Sequence, residues 1–444
     1  MNTALRRLPI VLSLMVAVGF GAFSAGVAGA AELEAKPKGE AFEKFQPVKA
    51  PVYTKLLLKK DDRLAVIGDS ITEQKQYSRI IETYVTVCLS DLGITARQYG
   101  WSGETAEGFK NRMKQDCLRF KPTIATLCYG MNDHRYKPYD EVVAKWYRDN
   151  YGAVAKGLKE AGARVVIGSP GPVGKMPSWV KSASGTVEDL NLNLCAFRNI
   201  DIELAKELDV NFADVFWPMY TSFWAAKTKY GQDYEVAGKD GVHPDWAGHL
   251  LMAYAFLRGL GCDGDIGTIT VDLVGKKATS TTGHIVQGVE GDAVTVVSTR
   301  YPFCATGEPD KHGSIRSGMT LVPFNQQLNR LTLVAKGGTA ASYSVTWGTE
   351  SRTYTKDQLA QGVNLADDFH VNPFSDAFKK VDEAVFKKQQ YETDQIKKHF
   401  HGADGKADIE KTATDTEAVR APLADAIKAA LVPVTHVISI KPAP

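Results

Sequence analysis

The sequence lacks several features that would direct it to particular classes of function. Its 444 residues carry 53 Lys and Arg against 51 Asp and Glu, so neither sign of charge is in enough excess to favour nucleic acid or an anionic membrane surface. The six cysteines include no CxxC pair, and no GxxxxGK[ST] phosphate loop occurs. What remains is an ordinary globular composition, 44% hydrophobic, with a length that suggests about two to four domains.

The first thirty residues have the pattern of an export signal. Arg6 and Arg7 precede an apolar stretch, and Ala28-Gly29-Ala30 supplies small residues at the usual cleavage positions. We therefore predict a secretory signal peptide over 1–30, with a retained membrane anchor as the alternative. Its removal leaves 51 basic and 51 acidic residues. The mature protein is expected in the periplasm or the medium, without stable membrane insertion. Disulfides are then possible, but the spacing assigns no pairing.

The rest of the chain divides by texture into four segments. A lead-in covers 31–62. Over 63–262, short apolar runs rich in β-branched residues alternate with amphipathic stretches, which predicts an α/β domain of three layers with a parallel sheet. The predicted strands are 64–67, 95–99, 123–128, 164–168 and 210–215, and the predicted helices lie near 77–88, 104–119, 139–161, 186–209 and 245–260.

The C-terminal segments differ in pattern. Residues 263–363 have short alternating runs and Gly-containing turns, typical of a small β-sandwich. Residues 364–444 form a helical segment and a tail, with a polar stretch at 402–418 that we expect to be mobile. Tyr343 and Trp347 could stack on a sugar if exposed, although the alternation places them equally well in a core.

Four clusters of polar groups are expected at the edges of the predicted strands, where ligands of parallel sheets bind. These clusters are Gly68-Asp-Ser70, Ser102-Gly-Glu-Thr105, Gly130-Met-Asn-Asp133 and the loop Asp240-Gly-Val-His243. Taken singly, each fits an ordinary loop or helix cap.

Taken together, the four clusters supply the parts of a serine hydrolase site. The hydroxyl of Ser70 needs a base to attack a carbonyl, and His243 can be that base while Asp240 orients its ring. A tetrahedral intermediate needs donors for its oxyanion. The N–H groups of Ser70 and Gly103 and the side-chain amide of Asn132 offer three.

The series GDS, SGET, GMND and DGVH resembles the SGNH/GDSL hydrolase superfamily, with Ile71 where the GDSL motif has Leu. The resemblance covers about 63–262. It implies a flavodoxin-like fold, Ser70 as nucleophile with Asp240 and His243, an oxyanion hole of Ser70, Gly103 and Asn132, and no metal or organic cofactor. The C-terminal plan is similar to exported bacterial members, several of which are carbohydrate esterases. The frame around Ser70 does not fit GxSxG, which argues against the α/β-hydrolase fold.

The sequence thus predicts an exported serine esterase that acts through an acyl-enzyme on a small-molecule or polysaccharide ester, with a short acyl group such as acetyl preferred. A lipase- or arylesterase-type activity on small or lipid esters is an alternative. A metal-dependent phosphoesterase could use Asp69, Asn132, Asp133, His134 and His243 as ligands. A non-catalytic polysaccharide-binding protein is a further alternative. The sequence does not indicate the oligomeric state.

Overall fold

The computed structural model describes residues 31–443. The predicted signal peptide therefore lies outside the described residues. Within them, no helix is both long and apolar enough to cross a membrane. All six cysteines fall in this range, and each is buried with a free thiol.

A five-stranded parallel sheet forms the centre of the α/β domain. Strands β1 and β3 are almost wholly buried because they lie inside the sheet and helices cover both of its faces. The order β2-β1-β3-β4-β5 is the flavodoxin-like order, and the predicted fold class is confirmed. The strands are Arg63–Gly68 (β1), Thr95–Gln98 (β2), Ile124–Cys128 (β3), Arg164–Gly168 (β4) and Asn211–Ala213 (β5).

Eight helices accompany the lead-in and this sheet. Side-chain caps begin four of them, because Asp69, Thr105, Asp140 and Thr186 each accept a hydrogen bond from a backbone N–H of the first turn. The helices are Glu40–Glu43 (α1), Ser70–Glu73 (α2), Tyr77–Val87 (α3), Ala106–Asp116 (α4), Glu141–Glu160 (α5), Val187–Glu207 (α6), Phe216–Tyr230 (α7) and Trp246–Gly259 (α8). Short 3-10 turns occur at Ser90–Leu92 and Leu118–Phe120.

Helix α7 was not predicted. Its aromatic residues occur on more than one face, so no clear apolar stripe marks it in the sequence. Several of these aromatic residues pack against the lead-in segment. Phe42 and Phe45 are buried against α7, and the ring centroids of Phe45 and Tyr220 are 4.7 Å apart.

Nine strands make up the β-rich module in two sheets. One sheet has the order β13-β10-β6-β7 and the other β12-β11-β14-β9-β8. β6 and β10 pair in parallel, whereas the second sheet is wholly antiparallel. Tyr343 and Trp347 are buried, so neither can stack on a sugar. The strands are Asp265–Asp272 (β6), Lys277–Ser280 (β7), His284–Glu290 (β8), Ala293–Ser298 (β9), Arg330–Lys336 (β10), Ser342–Trp347 (β11), Glu350–Thr355 (β12), Val363–Asn364 (β13) and Val434–Pro442 (β14).

The C-terminal region is more ordered and more intertwined than expected. The prediction of a mobile stretch at 402–418 was wrong, because a helix runs through most of it. The tail strand β14 lies between β11 and β9, so the module extends beyond the predicted boundary at residue 363. The helices are Ile315–Met319 (α9), Phe324–Leu328 (α10), Lys356–Gln361 (α11), Leu365–Asp368 (α12), Ser375–Asp394 (α13), Ala403–Ala407 (α14) and Ile409–Ala430 (α15), with a π-helical turn at Gln395–Phe400.

Helices α13 and α15 cover β2, an edge strand of the parallel sheet. The carbonyl of Ala96 in β2 accepts hydrogen bonds from Lys388 and Arg420, and the N–H of Gln98 donates to Glu392. Glu392 also pairs with Lys388 and Arg420, each at 2.7 Å. These charged side chains are buried, so the edge strand is satisfied by side chains from the end of the chain rather than by another strand.

Removing one charge from this cluster should destabilise the protein strongly. Lys388→Met leaves Glu82 and Glu392 buried without their shared cation, and we expect a loss of about 3–5 kcal/mol in the free energy of unfolding. Urea titration followed by fluorescence measures it. Lys379→Met, which removes an exposed pair with Glu383 on the same helix, should cost less than about 1 kcal/mol. Equal losses in the two variants would contradict the argument.

Candidate active site

Ser70 stands at the junction between β1 and α2. Asp69 caps the helix by accepting a hydrogen bond from the N–H of Ile71 at 2.9 Å, which makes Ser70 the first helical residue. The turn is tight: a Cβ at Gly68 would lie 2.2 Å from Oγ1 of Thr72, so only glycine fits there. The half-buried Ser70 hydroxyl is thus held at a helix N-terminus, beyond the carboxyl end of a strand.

Asp240 and His243 form a closely bonded loop before α8. Oδ2 of Asp240 lies 2.7 Å from Nδ1 of His243, and Oδ1 accepts from the N–H groups of Val242 and His243 at 2.9 and 2.8 Å. Burial alone would raise the pKa of Asp240, but these hydrogen bonds lower it below its usual value. An ionised Asp240 favours the His243 tautomer that carries its proton on Nδ1.

The structure brings the loop to the serine. Nε2 of His243 lies 2.8 Å from Oγ of Ser70, so a hydrogen-bonded series runs from Asp240 through the imidazole to the hydroxyl. With the proton on Nδ1, Nε2 is free to accept the serine proton. Trp179, not singled out in the sequence, lies beside this series: its ring centroid is 5.8 Å from that of His243, and the residue is 48% exposed.

Gly103 and Asn132 come from the loops after β2 and β3. Gly103 has φ +76°, a left-handed conformation, and a Cβ there would meet nothing within 4 Å. Among residues 31–443, the N–H groups of Gly103 and Ser70 donate no hydrogen bond. Nδ2 of Asn132 donates to the carbonyl of Glu104 at 3.0 Å, and its Oδ1 accepts from the hydroxyl of Tyr136. One amide hydrogen of Asn132 is left for a ligand.

Sequence reasoning missed the groups that hold these loops. Glu104 receives a bidentate ion pair from Arg112, at 2.6 and 2.7 Å, and a hydrogen bond from the hydroxyl of Tyr129 at 2.7 Å. Asp133 accepts from the N–H groups of Ala106 and Gly130, and burial raises its pKa to about 7. Glu104 and Asp133 lie within the SGET and GMND clusters, which is the one sequence signal that could have found them.

The residues suggested for a metal site are used otherwise. Asp69 caps α2, Asp133 joins two loops, and His134 is buried with Nδ1 2.5 Å from the carbonyl of Met131. Burial lowers the pKa of His134 to about 4. His249, also buried, accepts from the N–H of Tyr77 through Nδ1. Over the described residues, no group of three or more His, Cys, Asp or Glu side chains is arranged to hold a metal ion.

Comparisons with known proteins show what the α/β domain is similar to. The model of the GDSL-like lipase/acylhydrolase family matches residues 66–251, a range that contains all five predicted site residues. An acetylxylan esterase of Geobacillus stearothermophilus is 25% identical over 222 residues, which cover 45% of this chain and 94% of that protein.

Two solved structures are also similar. A gut microbial diltiazem-metabolizing enzyme matches with a TM-score of 0.68 at 20% identity, over 88% of this chain and 100% of that one. The structure of the Geobacillus stearothermophilus acetylxylan esterase matches with a TM-score of 0.38 at 21% identity, over 46% of this chain and 97% of that one. The first match extends past the α/β domain, so the fold of the C-terminal region also occurs in a known protein.

If Asn132 serves as an oxyanion donor, Asn132→Ala should lower kcat for ester hydrolysis by about 100- to 1000-fold with little change in folding. Steady-state kinetics on a p-nitrophenyl ester measure this. Tyr136→Phe removes only the hydroxyl that donates to the opposite end of the amide and should cost far less. A kcat for Asn132→Ala equal to that of Tyr136→Phe would remove Asn132 from the oxyanion site.

Proposed function

Because residues 66–251 belong to the SGNH/GDSL hydrolase superfamily and the chain is a carboxylic ester hydrolase, we propose that it is an exported serine esterase that removes short acyl groups from a carbohydrate. The observation that carries the catalytic part is the unbroken series of hydrogen bonds from Asp240 through His243 to Ser70. Such a series turns an unreactive hydroxyl into a nucleophile.

The reaction follows from these positions. His243 takes the proton of Ser70 through Nε2 as Oγ attacks the ester carbonyl, and the Asp240 carboxylate stabilises the imidazolium. The N–H groups of Ser70 and Gly103 and the amide of Asn132 receive the developing oxyanion. His243 then protonates the leaving alkoxide, which leaves an acyl group on Ser70. The same imidazole activates the water that releases the acid and restores the serine.

The substrate part rests on Trp179 and on the similar protein named an acetylxylan esterase. A half-exposed indole beside His243 offers an apolar face near the reacting ester, as a pyranose ring requires. Balanced charge gives no field that would select an anionic substrate. Export rests on the pattern of residues 1–30, which precede the described part of the chain.

A substrate screen tests the function directly. Purified protein should release acetate from acetylated glycans and hydrolyse p-nitrophenyl acetate faster than esters of longer acids, without added metal. Ser70→Ala should keep its fold and lose this turnover, because no other group in the hydrogen-bonded series can form the acyl-enzyme. Full activity in Ser70→Ala would refute the nucleophile. A preference for long acyl chains would favour the lipase alternative.

Two substrates can distinguish a role of Trp179 in sugar binding from a role in the chemical step. Trp179→Ala should lower kcat/KM for an acetylated oligosaccharide by about 5-fold, the value of one aromatic contact, and leave p-nitrophenyl acetate hydrolysis nearly unchanged. Trp224→Ala is the matched control, since Trp224 on α7 is 39% exposed and packs against Phe223 of the same helix and Phe42 of α1. Equal effects of Trp179→Ala on both substrates would show that the indole does not bind the sugar.

A further inference from the structure

The loop after β2 is joined directly to the helix that begins with Ser70. A Cβ at Gly100 would lie 2.2 Å from the backbone nitrogen of Glu73, so the two backbones are in contact. The N–H of Ser102, one residue before Gly103, donates to the carboxylate of Glu73. Glu73 is the last residue of α2, whose first residue is Ser70. This carboxylate therefore connects the loop of Gly103 to the helix that begins with Ser70.

Glu73 is itself held by a residue from the far end of the chain. Nζ of Lys397, on the π-helical turn Gln395–Phe400, lies 2.8 Å from Oε1 of Glu73 and 5.2 Å from the ring centroid of Trp101. Burial alone would raise the pKa of Glu73, but the hydrogen bonds from Lys397 and Ser102 lower it, which keeps the carboxylate ionised. The pair is partly shielded, with 30% and 18% of the two side chains exposed.

The residue after the π-helical turn makes a second connection. Nε2 of His401 lies 2.7 Å from Oδ2 of Asp116, and Asp116 pairs with Arg112 at 3.3 Å. Arg112 holds the carboxylate of Glu104, whose carbonyl accepts from the amide of Asn132. The same short segment therefore reaches the loop of Gly103 through one series of contacts and the side chain of Asn132 through another.

We propose that Lys397 is a positioning residue for the oxyanion hole: its ion pair with Glu73 fixes the Gly103 loop against the helix of Ser70. The inference rests on the proposed esterase function. Lys397 touches no reacting atom, and it acts through Glu73 and the N–H of Ser102. It gives the C-terminal helical region a part in catalysis as well as in covering the sheet.

The location supports positioning over stability alone. A partly exposed ion pair contributes little to folding. π-helical turns inside longer helices are rare, and many of those that occur lie at functional sites. Oxyanion donors must be aligned closely, because small displacements of the reacting groups lower the rate strongly. The carboxylate of Glu73 meets this requirement, because it accepts hydrogen bonds from both the N–H of Ser102 and the ammonium group of Lys397.

The test compares neighbouring lysines in the full-length protein. Lys397→Met should lower kcat for p-nitrophenyl acetate by about 10- to 100-fold, expressed per Ser70 titrated with a fluorophosphonate, while KM changes by less than about two-fold. Binding of phenylboronic acid, whose boron becomes tetrahedral when the serine hydroxyl adds to it, should weaken by a similar factor. Lys397→Arg, which keeps the charge, should restore most of the rate.

Lys398→Met is the matched control, since Lys398 is the next residue and pairs with Asp394 at 2.9 Å. It should match the wild type. Glu73→Gln should reproduce the loss, and adding Lys397→Met to it should change little further. If Lys397→Met folds poorly, Glu73→Gln still tests the ion pair. If Lys397→Met and Glu73→Gln both keep the wild-type kcat per titrated serine, the inference is wrong, but the proposed function stands. Absence of any Ser70-dependent turnover in the wild type would overturn the proposed function, and the inference with it.

Discussion

The site depends on one feature of the sheet: β1 lies between β2 and β3, so the loops that follow these strands meet at one edge. That order brings the clusters of Ser70, Gly103 and Asn132 together. His243 then reaches the same edge from a position 173 residues later than Ser70, and their hydrogen bond closes the arrangement. Had β2 and β3 paired with each other, one of the two loops would follow a strand about 10 Å from β1, two strand spacings away instead of one.

The sequence was most informative where structure is local or doubly buried. Strands β3 and β4 could be predicted because both of their faces are buried, so they read as continuous apolar runs. The triad loop could be predicted because Asp240 and His243 are three residues apart and bond within the loop. Helix α7 could not, because its aromatic residues pack against Phe42 and Phe45, which no local pattern reveals.

What the sequence could not show are the partners that come from far along the chain. Strand β14 reads as a short apolar tail, and only its pairing with β9 and β11 places it in the middle of a sheet. Lys397 and His401 occur in an ordinary charged helix end, and nothing near them indicates Glu73 or Asp116 as partners. Their contacts span 324 and 285 residues, so they follow from the assembled fold alone.

Through these long-range contacts, the C-terminal region does more than cover the edge of the sheet. Apolar side chains could have covered the edge strand. Instead, buried charged side chains hydrogen-bond to the backbone of Ala96 and Gln98. Such buried charges tolerate little displacement from their partners. The same helical run then continues through the π-helical turn to Glu73. Because the edge contact fixes α13, the position of Lys397 is fixed as well. A region that supplies no residue of the Asp240–His243–Ser70 series thus contacts the helix of Ser70 and, through Asp116 and Arg112, the loop of Gly103.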